Sequence, residues 1–66
     1  MIEIEMNLDD NTLIIRQDGK FYSLNKALKQ PYETLIILEE ILNIFDHPGT
    51  ILTKIDEGQS KVIGEW

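Results

Sequence analysis

Thr12-Leu13-Ile14-Ile15-Arg16-Gln17-Asp18-Gly19-Lys20-Phe21-Tyr22-Ser23-Leu24 is the stretch that decides the fold class. Two runs rich in β-branched and aromatic residues flank Asp18-Gly19, and Gly accepts the positive φ that a two-residue type I′ turn requires. The stretch predicts a hairpin. Closure on Asp18-Gly19 pairs Gln17 with Lys20, Ile15 with Tyr22 and Leu13 with Leu24, which gathers the large apolar side chains on one face. Ile14, Arg16 and Phe21 take the other face, so that face is not purely polar.

Upstream, Ile2, Ile4 and Met6 alternate with Glu3 and Glu5, a period of two that places one face in a core and one in water. The run Asn7-Leu8-Asp9-Asp10-Asn11 supplies side chains that bond their own backbone in turns, so the chain reverses there into a second strand over Thr12 to Gln17.

Downstream the period changes. Leu24, Ala27 and Leu28 fall at helical spacing and Ser23 is suited to cap, which allows a short helix over about 24–30. Pro31 suits the first turn of a second, main helix, and Glu33 sits near the positive end of its dipole. That helix is expected over about 32–46. At about 100° per residue, Leu35, Leu38, Leu42 and Phe45 form one stripe and Ile37, Ile41 and Ile44 a second beside it, an apolar arc of roughly half the circumference. One sheet face rarely covers so wide an arc, so either the short helix or another chain covers the remainder. His47-Pro48-Gly49 ends the helix. A C-terminal hairpin follows, with Glu57-Gly58-Gln59-Ser60 as its loop, facing Asp56 with Lys61, Ile55 with Val62, Thr53 with Gly64 and Ile51 with Trp66.

The expected architecture is therefore α+β: one domain over 1–66, with a small, mainly antiparallel sheet of four to five strands and one main helix packed on one face. The order of the strands is left open, because the first can pair with the second or cross to the C-terminal hairpin.

The 66 residues carry 12 acids against 6 bases, a formal charge of −6, which repels nucleic-acid backbones and anionic membranes; direct binding to either is not expected. With no cysteine, disulfides and most zinc sites are closed to a chain this small, and oligomerisation becomes the natural supplement to a thin core. The start has no basic segment followed by an apolar run, so an intracellular, cytoplasmic protein is expected. Ile occupies 11 of 66 positions, a bias that fits a bacterial or phage genome rich in A and T.

Chemistry is poorly supplied. His47 is the single histidine and sits at a helix end, and neither Ser23 nor Ser60 lies in a nucleophile setting, so no enzyme is expected. The pairs Asp9-Asp10, Glu39-Glu40 and Asp56-Glu57 lack the spacing of a calcium loop, and the glycines are singletons rather than a phosphate-cradling loop, so neither metal nor cofactor is expected.

Two readings remain. The first is a non-catalytic protein–protein interaction domain that self-associates through its apolar helix face or a sheet edge, with Ile37, Ile41, Ile44 and Trp66 at the interface. The second presents Glu3, Glu5, Asp9, Asp10, Glu39 and Glu40 as phosphate-like charges to the basic groove of a nucleic-acid enzyme. In size and charge the chain resembles small acidic inhibitors from phages and mobile elements, many anti-CRISPR proteins among them, and that resemblance implies nucleic-acid mimicry.

Overall fold

A computed structural model of the chain describes residues 1–25 and 29–66. Among these residues, five strands and one helix follow one another as β1 (Ile2–Asn7), β2 (Thr12–Gln17), β3 (Lys20–Asn25), α1 (Pro31–Phe45), β4 (Thr50–Asp56) and β5 (Gln59–Glu65). The strands form a single sheet in the order β3-β2-β1-β4-β5, so the fold is α+β.

The first hairpin closes as its sequence requires. Asp18 and Gly19 both hold positive φ, at 48° and 79°, and the register pairs Gln17 with Lys20, Ile15 with Tyr22 and Leu13 with Leu24. The reversal between β1 and β2 is made by Asn7, whose side-chain oxygen accepts the backbone N–H groups of Asp9 and Asp10 at 3.0 and 3.1 Å.

Strand β1 pairs on both sides. It is antiparallel to β2 and parallel to β4, with Ile4 opposite both Ile15 and Leu52. The central pair therefore departs from an all-antiparallel sheet. The reason is direction: each successive element reverses the chain, and α1 counts as one reversal, so β4 sets out the way β1 did. A helix of 15 residues is about 22 Å long, close to the ~20 Å of a six-residue strand, so it spans the sheet once.

Pro31 opens α1 at its first position, and Thr34 donates its hydroxyl to the Gln30 carbonyl at 3.0 Å. The helix ends at a left-handed Asp46, whose N–H reaches the Leu42 carbonyl; the stop thus comes before the Pro48-Gly49 pair. The short helix expected over about 24–30 does not start there, since Leu24 and Asn25 continue β3; residues 26–28 lie outside the described residues.

The C-terminal hairpin differs from expectation. Its turn is Glu57-Gly58 rather than four residues, both with positive φ, and Asp56 pairs with Gln59, Ile55 with Ser60 and Lys54 with Lys61. A bulge then shifts the register, so that Thr53 meets Val62 but Leu52 meets Gly64 and Ile51 meets Glu65. Ile63, the additional residue, is packed against the core. The tight turn is held from outside the hairpin. The Asp9 carboxylate accepts the N–H of Glu57 and the N–H of Gly58, each at 2.9 Å, which offsets the unfavourable positive φ of Glu57.

The core consists of Ile4, Met6, Leu8, Leu35, Leu42 and Leu52. It lies between α1 and the centre of the sheet.

Candidate protein interface

The side chains of Tyr32 and Asn43 fix how α1 sits. Near the start of the helix the Tyr32 hydroxyl donates to the Asp56 carboxylate at the end of β4, at 3.2 Å. Near its end Asn43 accepts the indole N–H of Trp66, just past β5, at 2.8 Å. The helix thus runs antiparallel to β4 and is tied to the β4–β5 side of the sheet. The negative charge of Asp56 raises the Tyr32 phenol above its ordinary range, with smaller contributions from desolvation, the hydrogen bond itself and the charges of Glu57 and Asp9.

Among the described residues, no element covers the other half of the helix-facing sheet. Along one row of paired residues Ile4 is buried, Ile15 half-buried and Tyr22 60% exposed; along the next Met6 is buried, Leu13 half-buried and Leu24 exposed. A groove of about 210 Å³ runs between the helix and the β1 and β4 strands, lined by Ile2, Ile4, Leu38, Ile41, Leu42, His47 and Thr50.

The helix itself divides in two. Leu35 and Leu42 are buried and Leu38 is half-buried, as the leucine stripe predicts, while Phe45 at the end of that stripe is exposed. Ile37, Ile41 and Ile44 fall within about 60° of one another on the wheel and turn away from the core. They are 54%, 42% and 73% exposed. The structure brings these three expected interface residues together on one ridge beside the bare floor.

Trp66, the fourth, lies elsewhere. Its ring lies over Gly64, leaving no room there for a Cβ, and its backbone is bonded to Gly49 and Thr50. It is half-buried and packed against the core, roughly 160° around the helix from Ile41 as judged from Asn43. Trp66 thus packs against its own fold, apart from the isoleucine ridge. Reading the residues alone missed the contributions of Leu13, Ile15, Tyr22 and Leu24 to the exposed apolar corner; their pairing across the first hairpin was the available signal.

The six acidic residues do not form one surface. Glu3 and Glu5 point to the face of the sheet opposite α1, where Glu5 binds Arg16 at 3.1 Å and the Arg16 guanidinium lies 5.6 Å from the centre of the Phe21 ring. Glu39 and Glu40 are on α1, on the other side of the sheet. Asp9 is committed to the Glu57-Gly58 turn, and Asp10 accepts from the Asn7 side chain at 3.3 Å. His47 is exposed in the loop after the helix. Among the described residues, no group of three or more His, Asp or Glu side chains is placed to hold a metal ion, and no helix is long and apolar enough to cross a membrane.

Compared with known proteins, the chain matches no family model, no curated protein and no solved structure.

Proposed function

We propose that this chain is a non-catalytic, cytoplasmic protein–protein interaction domain that self-associates through the outer face of α1. The observation that carries this reading is the exposed ridge Ile37-Ile41-Ile44, three large aliphatic side chains at i, i+4 and i+7 that the chain's own sheet does not cover. With Phe45, Tyr22 and Leu24, at roughly 100 Å² of exposed surface each, the apolar corner amounts to about 600 Å² per copy, near the ~800 Å² that a standard interface removes from each partner.

The helix face is favoured over a strand edge. Edge strand β5 carries Lys61 and a bulge, two features that discourage edge-to-edge pairing. Nucleic-acid mimicry is the weaker proposal, because its carboxylates are divided between opposite faces of the sheet and Asp9 is occupied.

Molar mass by light scattering, over a range of protein concentrations and at low and high salt, tests the reading. A dimer that persists in high salt is expected, because apolar burial is not screened as charge pairing is. Ile37→Glu and Ile44→Glu should each yield a folded monomer. A wild-type monomer at every concentration overturns the proposal and leaves the acidic surface as the alternative.

A further inference from the structure

Five strands about 4.8 Å apart span roughly 19 Å, whereas a helix with its side chains is about 10 Å across, so one helix covers about half of such a sheet. This chain has one helix among its described residues, and it is tied to the β4–β5 side through Tyr32–Asp56 and Asn43–Trp66. The β2–β3 half has an apolar floor of Leu13, Ile15, Tyr22 and Leu24 with a hollow of about 100 Å³ on its surface.

We infer that this floor receives α1 of a second copy, and that the first copy's α1 lies reciprocally on the floor of the second. The inference rests on the proposed self-association and specifies its receptor.

Both halves of a helix-in-trough contact are present on the same chain and both are exposed. Ile37 and Ile44 point away from their own core, so in a two-fold arrangement they face the partner's sheet, while Ile41, on the flank, faces the partner's helix. Charge agrees with this exchange. Helix α1 carries Glu33, Glu39 and Glu40 and no base, whereas the floor face of β2 and β3 carries Lys20 and no acid outside the turn residue Asp18; Arg16 lies on the opposite face, paired with Glu5. Packing α1 on the partner's hairpin sets acids near Lys20; packing two α1 helices alone against each other sets acids near acids. The result is a layered dimer with two helices enclosed between two five-stranded sheets.

The absence of cysteine makes a direct test clean. Chains carrying Ile44→Cys or Ile37→Cys are mixed with differently tagged chains carrying Tyr22→Cys, allowed to exchange subunits, and oxidised. Ile37, Ile44 and Tyr22 are all exposed, and circular dichroism checks that each variant folds.

At least one mixed pair is expected to cross-link about tenfold faster than the same helix variant mixed with an Asp10→Cys control, through the higher effective concentration of facing thiols. If light scattering gives a dimer but cross-links form only between helix positions, or not at all, the exchange is wrong although self-association stands. A monomer by light scattering overturns both.

Discussion

Thr50 begins β4, and its hydroxyl is buried without a hydrogen-bond partner among the described residues. A buried polar group left unpaired costs roughly 1–3 kcal/mol, and Val has nearly the same shape. Thr50→Val is therefore expected to stabilise the fold by about 1 kcal/mol, read as a higher urea midpoint at an unchanged slope. Gly64 has the opposite constraint, because a Cβ there meets the Trp66 ring. Gly64→Ala should displace the indole, cost about 1–3 kcal/mol and shift tryptophan emission to the red, as overpacking loosens the Asn43 bond. Tyr32 ties stability to alkaline pH. Its phenol is raised above the usual ~10 by Asp56, so the folded state holds the proton more firmly than the unfolded chain does. The stabilisation is complete below the ordinary tyrosine range and is lost as pH rises through the raised value. From pH 8 to 11 the urea midpoint should fall further in the wild type than in Tyr32→Phe; equal falls would deny the contact that role.

Between elements, the Asp9 carboxylate joins the β1–β2 loop to the β4–β5 turn across 48 residues of chain. Charge-assisted bonds of this kind contribute roughly 1.5–3 kcal/mol, so Asp9→Ala is expected to cost about 2 kcal/mol. Asp10→Ala, one residue on, removes an exposed bond of 3.3 Å and should cost far less; equal denaturation midpoints for the two variants would show that the tie contributes nothing. The same contact explains why the two hairpins were unequally legible. Asp18-Gly19 carries its turn instruction within four residues, and its register followed directly from the sequence. Glu57-Gly58 is a poorer two-residue turn by local preference, because Glu disfavours positive φ, and what tightens it is a carboxylate far away in sequence. The bulge beside Thr53 escaped for the same kind of reason, since it turns Ile63 toward a core that only the assembled sheet defines.

At the scale of the whole molecule, the balance among the described residues is one helix against five strands. If the second copy supplies the missing cover, folding and association are linked, and the melting temperature should rise with protein concentration. A melting temperature unchanged over a hundredfold range of concentration would contradict that linkage. The half-bare sheet also decides which apolar residues belong to the core. Leu35 and Leu42 are buried while Ile37, Ile41 and Ile44, equally apolar and on the same helix, are not.

The sequence by itself determined the α+β class, the first hairpin with its register, the span of α1 to within a residue at each end, and the presence of an apolar arc too wide for one contact. These are local properties, set by turn chemistry, periodicity and capping within a few residues. The parallel pairing of β1 with β4, the tie from Asp9 to Glu57-Gly58, the bond of Trp66 to Asn43 and the division of the carboxylates between two faces were decided only by the tertiary structure. Each depends on which strand lies beside which, and that order follows from joint burial of side chains distant in sequence, a preference no short window of residues contains.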